Sequence, residues 1–438
     1  MRNRDKSVRI GLAGLFWTMS VAAQAALPIE HWTTTSGARV YFVASRANPM
    51  LDINVDFDAG GRRAPPDKAG LAGLTRSLLR AGAGARSEEE IGRRFADVGA
   101  QLGGSADRDR AGVSLRTLSS ERERTQALET MAEVLQAPAF PEAQLSREKA
   151  RLIAQVKEAE TKPDAIVNKA FYRLMYGAHP YALSPEPEGI ERIARADVEG
   201  FYRRHYVADR AVVTILGDAD RASAERIAEQ LTSRLPRGAA AAEPLPAVVQ
   251  PRGETLRIAH PAAQSHILLG LPALTRRDPD YFALLVGNYS LGGGGFVSRL
   301  FTEVREKRGF AYSVYSYFQP LSQEGPFQVG LQTKKEQSEQ ALAQVRVVLD
   351  EFLARGPTAA ELKAAKQNLV GGFALRIDSN RKLLDQVAVI GFYRLPLSWL
   401  DDFTAGVEKV TLAEIRAAFG RRVRPEHLVT VVVGGGEK

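Results

Sequence analysis

Two stretches of equal length, IERIARADVEGFYRRHYVADRAVVTILG (residues 190–217) and VEKVTLAEIRAAFGRRVRPEHLVTVVVG (residues 407–434), align without a gap at an offset of 217. They share Glu191/Glu408, Ala196/Ala413, Arg204/Arg421, Val212/Val429 and Gly217/Gly434, and the helix-then-strand pattern agrees along both. At nearly the same offset Gln126-Ala127-Leu128 answers Gln340-Ala341-Leu342, and Pro141 answers Pro357. A repeat of roughly 200 residues is a duplicated domain, because a solenoid unit spans only about 20–50. The chain reads as one fold written twice.

Outward from these stretches, each half begins with strands. ARVYFVASR and LDINVDFDAG alternate apolar and polar residues. AGLAGLTRSLLRAGAG (residues 69–84) follows, with Leu71, Leu74, Leu78 and Leu79 along one helical face. SEEEIGRRFADVGA predicts a second helix, and GGSADRD and AGVSLRTLS two more strands. A helical block runs from Ser120 to about Met175, broken at Pro138–Pro141 and again at Lys162-Pro163. The first half closes with helix ADVEGFYRRHY, strand AVVTILGD and helix SAERIAEQLTSRL. Residues 236–252, rich in proline and alanine and without periodicity, form a linker. The order then restarts: strands ETLRIAH and SHILLGLPAL, helices PDYFALLVGNYSL and FVSRLFTEVREK, strands AYSVYSYF and PFQVGLQTKK, and long helices. This predicts an α+β fold of two homologous domains, residues 26–235 and 253–438. Each is a mostly antiparallel sheet with helices packed on one face.

A length of 438 residues exceeds one compact core, and 45% hydrophobic with 25% charged residues describes a folded globular protein. The amino terminus reads separately. MRNRDKSVR is basic, IGLAGLFWTMSVAA is apolar and Ala23-Gln24-Ala25 offers small residues for cleavage, so residues 1–25 are expected to be a signal peptide. The apolar run is shorter than the ~20 residues a membrane span needs. Export to the periplasm or beyond is therefore expected. Removing Arg2, Arg4, Lys6, Arg9 and Asp5 takes +3 from a net charge of +8 and leaves +5. The basic residues are scattered among acids with no aromatic interleaving, which argues against a nucleic-acid surface. With no cysteine there is neither a disulfide framework nor a thiolate site. The six histidines, His31, His179, His205, His260, His266 and His427, include no pair three or four apart, so no helix face offers two imidazoles to a tetrahedral zinc. His205 is expected on a helix surface, and the others in surface or hydrogen-bonded structural roles. No Gly-x-Ser-x-Gly elbow and no P-loop occur.

The candidate site lies in SLGGGGFVSRLFTEVREKRGFAYSVYSYF, residues 290–318. Gly292, Gly293, Gly294 and Gly295 read as a flexible loop before a helix from about Val297 to Arg308, which Gly309 ends. The next strand is predicted to place Tyr312, Val314, Ser316 and Phe318 on one face. The reversal brings Arg305 and Tyr312 near each other. A guanidinium and a phenol beside a glycine loop can bind a peptide carbonyl or carboxylate and stabilise oxyanion charge. Arg305 also suits a helix C-terminus, and Tyr312 also suits a core, so spacing alone leaves both readings open.

This segment resembles the second-domain signature of the pitrilysin/insulinase family of zinc peptidases: Leu-Gly-Gly-Gly, Ser-Arg-Leu-Phe, then Arg-Glu-x-x-Gly-x-Ala-Tyr. It matches at Leu291–Gly294, Ser298–Phe301, Arg305, Glu306, Gly309, Ala311 and Tyr312. The GAHPY turn and the tail VEGFYRRHYVADRAVVTILGD extend the likeness along the chain. The resemblance implies a clamshell of two domains, with Arg305 and Tyr312 acting on substrate held at a zinc and Gly292–Gly295 contacting that substrate. The family's His-x-x-Glu-His follows Gly-Leu-Ala, but here Gly70-Leu71-Ala72 is followed by Gly73, Leu74, Thr75, Arg76 and Ser77. The family's third ligand, a glutamate, falls on Gln155, while Glu148 still resembles its supporting acid. The ligand positions Gly73, Ser77 and Gln155 and the base position Arg76 thus offer neither imidazole nor carboxylate, and this chain is expected to bind no metal. Ser105-Ala106-Asp107 stands where the family has Asn-Ala on its substrate-pairing strand, so the resemblance does not carry strand-type peptide binding to this half.

Some members of the family, like the mitochondrial processing peptidase, pair a zinc-bearing chain with one that carries the arginine and tyrosine. The resemblance therefore implies the non-metal-binding subunit of a periplasmic heterodimeric zinc metalloendopeptidase. It would be inactive alone, with the zinc in a homologous partner bearing His-x-x-Glu-His. The alternative is a non-enzymatic peptide-binding or structural assembly protein with the peptidase fold.

Overall fold

A computed structural model describes residues 28–238 and 243–434; the expected signal peptide lies outside the described residues. The first half runs β1 (Glu30–Thr33), β2 (Arg39–Ala44), β3 (Met50–Phe57), α1 (Leu71–Leu78), a short hairpin of β4 (Gly82–Ala83) and β5 (Arg86–Ser87), α2 (Glu88–Ala96), β6 (Gln101–Gly103) and β7 (Ala111–Leu118). It continues with α3 (Glu121–Gln136), α4 (Glu142–Ala159), α5 (Pro163–Tyr176), α6 (Pro187–Glu191), α7 (Arg195–His205), β8 (Val212–Gly217) and α8 (Arg221–Thr232). The second half runs β9 (Thr255–Ile258), β10 (Gln264–Leu274), α9 (Tyr281–Asn288), β11 (Ala311–Phe318), β12 (Gly325–Lys334), α10 (Ser338–Arg355), α11 (Ala359–Gly371), α12 (Asn380–Tyr393), α13 (Trp399–Lys409), α14 (Leu412–Arg422) and β13 (Val429–Val433). The prolines end helices where expected: α3 stops before Pro138, and Pro163 opens α5. Ser87/Glu90, Thr358/Glu361 and Thr411/Glu414 close capping boxes on α2, α11 and α14, satisfying backbone donors that a helix start leaves without partners.

The duplication is explicit in the sheets. Their strand orders are β1-β2-β8-β3-β7-β6 and β11-β12-β10-β13-β9. Read in the same sense, β2, β8, β3, β7 and β6 correspond to β9, β13, β10, β12 and β11. All neighbours are antiparallel except β2–β8 and β9–β13. The strand expected at GGSADRD is not one: β6 ends at Gly103 and only the bridge Ala106–Ala111 follows. Asp107 accepts from the amides of Asp109 (2.7 Å) and Arg110 (2.8 Å), and this local turn replaces a ladder.

Each half's own helices cover one face of its sheet, as expected, and a helix from the other half covers the opposite face. Alternation decides which residue goes where. Val40 and Phe42 join the first half's core, while Tyr41 and Val43 pack with Leu384, Val387 and Ile390 of α12. In the second half Ile267 and Leu269 face their own helices, while Leu268, Val431 and Val433 meet Val167, Phe171 and Met175 of α5. Each such side chain taken out of water contributes about 1.5–3 kcal/mol, so the reciprocal exchange binds the two lobes into one clamshell-like body.

A polar knot reinforces the seam. Asp109, fully buried, pairs with Arg62 and accepts from Tyr181 Oη (2.6 Å), Tyr393 Oη (2.8 Å) and the Ser322 amide (2.8 Å), the last two from the second half. His179, in the GAHPY turn, is buried and bridges as well. Its Nδ1 accepts from the Tyr181 amide, so Nε2–H donates to Pro246 O (3.1 Å) and Gln323 Oε1 (3.2 Å). His205 differs from expectation: it is half-buried at the end of α7, its ring tilted against Phe201 with centroids 4.5 Å apart.

Candidate functional site

The glycine-rich string of the second half folds around two turns of π-helix. The first, Tyr289–Gly293, continues α9, and the second spans Phe301–Glu306. Both wind wider than an α-helix, a feature frequent at functional sites. Of the glycines expected as a loose loop, Gly292 is tightly packed. Gly292 is buried, and a Cβ there would stand 2.6 Å from the Ser316 amide nitrogen. Asn288 holds the turn against β11, donating to the Ser316 carbonyl at 3.0 Å and accepting from Ser316 Oγ at 2.6 Å. Gly293 and Gly295 are exposed and Gly294 is half-buried.

The residues that follow each anchor the second turn. Ser298 Oγ donates to the Gly295 carbonyl at 2.8 Å. Arg299 grips Glu361 through two contacts of 2.7 Å. Leu300 is fully buried, and Phe301 lies beneath Arg305. Gly309, with φ +63°, reverses the chain into β11 as expected.

The predicted convergence of Arg305 and Tyr312 occurs, by a route the strand pattern did not show. Tyr312 was expected on the face of Val314, Ser316 and Phe318. Those three face the core, but the register shifts between Ala311 and Ser313, so Ala311 turns inward and Tyr312 is 77% exposed. A bulge inserts one residue and re-aims the side chain next to it. Arg305 is half-buried, with its guanidinium carbon 4.5 Å from the Phe301 ring centre, 5.5 Å from that of Tyr312 and 6.0 Å from that of Phe296. It has no carboxylate partner among the described residues. Phe296 and Phe301 were not singled out from sequence, although Phe301 stands four residues before Arg305, a spacing that brings side chains together on a helix. Together these groups line a groove of about 520 Å3 running along β11 from Tyr312 to Tyr317 and walled by Gly292, Gly293 and Gly295.

The corresponding positions of the first half carry no such pair among the described residues. Gly73 is exposed on α1, with nothing within 4 Å of where a Cβ would stand. Arg76 donates to the Gly104 carbonyl, and burial lowers its guanidinium pKa, helped by the like charge of Arg80. Ser77 is half-buried, and Gln155 is exposed on α4. Glu148 is taken up by Arg151 (2.6 Å) and Arg147 (3.5 Å). Among the described residues no three of His, Cys, Asp and Glu cluster closely enough to hold a metal. The donors at these positions do not fit zinc: no imidazole, no carboxylate and one fixed cation.

Comparison with known proteins places both halves in one family. Residues 39–186 match the family model "Insulinase (Peptidase family M16)", and residues 192–369 match "Peptidase M16 inactive domain". The crystal structure of a peptidase M16 inactive domain from Pseudomonas fluorescens superposes with a TM-score of 0.90 at 36% identity, covering 94% of this chain and 99% of that one. An uncharacterized zinc protease of Streptomyces coelicolor is 26% identical over 90% of this chain and 88% of its own length. A mitochondrial-processing peptidase subunit beta of Blastocladiella emersonii is 22% identical over 90% of this chain and 86% of its own.

Proposed function

The chain belongs to peptidase family M16, the insulinase family, and on that premise we propose that it is the non-metal-binding subunit of a heterodimeric zinc endopeptidase. It presents Arg305 and Tyr312 to a peptide held at a homologous partner that carries His-x-x-Glu-His. One contrast carries this reading. In the first half the ligand positions Gly73, Ser77 and Gln155 and the base position Arg76 offer neither imidazole nor carboxylate, while the second keeps a half-buried guanidinium, with no carboxylate partner among the described residues, beside a phenol over an open groove. The zinc, on this reading, belongs to the partner. The likeness to a processing-peptidase subunit supports a paired chain, and the pattern of residues 1–25 supports export to the periplasm.

Arg305 N–H groups and the Tyr312 O–H donate to the carbonyl oxygen of the bound peptide. Both bonds strengthen as negative charge develops on that oxygen, so they favour the transition state over the ground state. The aromatic rings around Arg305 exclude water from one side and raise the value of that charge–charge contact. The packed glycine turn lets substrate backbone approach without side-chain obstruction.

The test uses this chain with an exported homologue bearing the inverted motif, sought first in the neighbouring reading frame. Mixing the two is expected to create zinc-dependent peptidase activity, with either chain nearly silent alone. Arg305→Ala should lower turnover by about 10²–10³-fold while size-exclusion chromatography still shows the complex. Zinc-dependent cleavage by this chain alone, or unchanged turnover in Arg305→Ala, would overturn the proposal. The name of the matched second-half model, an inactive domain, favours a second reading as a non-enzymatic peptide-binding or assembly protein. Under that reading Arg305→Ala changes no peptidase activity.

A further inference from the structure

The two sheets differ at one edge. In the first half β1 runs antiparallel along β2, with Glu30–Thr33 opposite Arg39–Phe42. Its side fills the space under α12: Ile29 joins the buried cluster there, and His31 stacks on Tyr41 with ring centres 4.4 Å apart. β9 occupies the position of β2 in the second sheet, yet among the described residues no strand lies along its outer edge.

The backbone of that edge is available. The Thr430 amide donates to the Glu254 carbonyl (2.9 Å) and the Gly434 amide to the Ile258 carbonyl (3.0 Å). The peptide groups of Glu254, Leu256 and Ile258 therefore face β13, and alternation turns those of Thr255 and Arg257 outward. An open row of such groups is a template for pairing with another chain.

The side chains of Glu254, Leu256 and Ile258 line a cavity of about 1200 Å3 whose opposite wall includes Ile166 and Ala170 of α5. The corresponding space beside α12 in the first half holds Ile29, with the exposed His31 laid against Tyr41. Arg173 is exposed at the cavity with no carboxylate partner among the described residues, and Arg108, also at its wall, stacks over Tyr172 at 3.6 Å.

We propose that β9 and this cavity form a docking site for an extended segment of another polypeptide. The segment adds to β9 as an antiparallel strand, as β1 adds to β2. It places an apolar side chain in the cavity and, two residues on, a carboxylate against Arg173. The site lies on the opposite edge of the sheet from β11, about 19 Å away at four strand spacings. It stands independently of the Arg305 groove.

The probe is a capped peptide with the sequence of residues 28–34 carrying His31→Asp, added to the full chain. Amide hydrogen exchange at Thr255 and Arg257 is expected to slow at least tenfold, with β11 unaffected. Arg257→Pro removes an outward donor while sparing the bonds to β13, and should weaken peptide binding at least tenfold. Arg257→Gln keeps the donor and should bind as the unaltered chain does. Arg173→Gln should weaken binding to a similar extent. Ile29→Asp in the probe itself should abolish binding, a control that needs no altered protein. No protection of β9 at millimolar peptide, protection at β11 instead, or equal binding by Arg257→Pro would each overturn the proposal. So would occupation of the cavity by dodecanoate with no peptide bound at β9, which would make it an acyl-chain pocket.

Discussion

Arg76 and Arg305 are both half-buried guanidiniums, and their surroundings separate them. Arg76 spends its hydrogen bonding on the Gly104 carbonyl, whereas Arg305 rests among three aromatic rings with no carboxylate partner among the described residues. His205 supplies a different test at this scale. Burial, aided by the nearby Arg63, pushes its pKa down to about 4 from an ordinary 6.5. The unfolded chain takes up a proton near pH 6.5 that the folded chain refuses until about pH 4. Its neutral form therefore stabilises the fold above pH 6.5, and that contribution is lost as the pH falls through this window. Urea midpoints of the unaltered chain are expected to fall relative to His205→Gln between pH 7 and pH 4.5; parallel curves would show that His205 titrates normally. The sequence placed this histidine on a helix correctly but on its surface wrongly, because helical periodicity says nothing of which neighbouring loop covers a terminal turn.

At the scale of elements, the groove depends on two departures from regular geometry. The π-turn at Tyr289–Gly293 brings the glycine backbone onto β11, and the bulge at Ala311–Ser313 turns Tyr312 outward. Gly292→Ala would place a methyl group against the Ser316 backbone and should destabilise the protein by about 1–3 kcal/mol, as overpacking does. Denaturant unfolding measures it; a neutral result would mean the turn yields easily. The nearness of Arg305 and Tyr312 was legible from a helix, a glycine stop and a strand. The bulge was not. A one-residue register shift changes no letter, and strict alternation assigns Tyr312 to the core face.

At the scale of the whole molecule, α5 and α12 each serve the other half's sheet, so neither half buries its apolar faces alone. Residues 28–235 and 253–434 expressed separately are therefore expected to aggregate or to bind hydrophobic dyes. Co-expression should recover a soluble complex with a single unfolding transition. Two soluble, cooperatively folding halves would contradict this account of the exchange. The sequence by itself determined the duplication and the α+β layering, which are properties of residue type, period and spacing and are local; the altered ligand positions and the arginine–tyrosine pair were legible through the resemblance to a known family. Only the tertiary structure decided which helix covers which sheet, that Asp109 ties the lobes, that Tyr312 faces solvent and that no strand among the described residues lies along the outer edge of β9. Each of those rests on contacts between residues far apart in the chain, and no local pattern encodes which of two equivalent apolar faces a helix will meet.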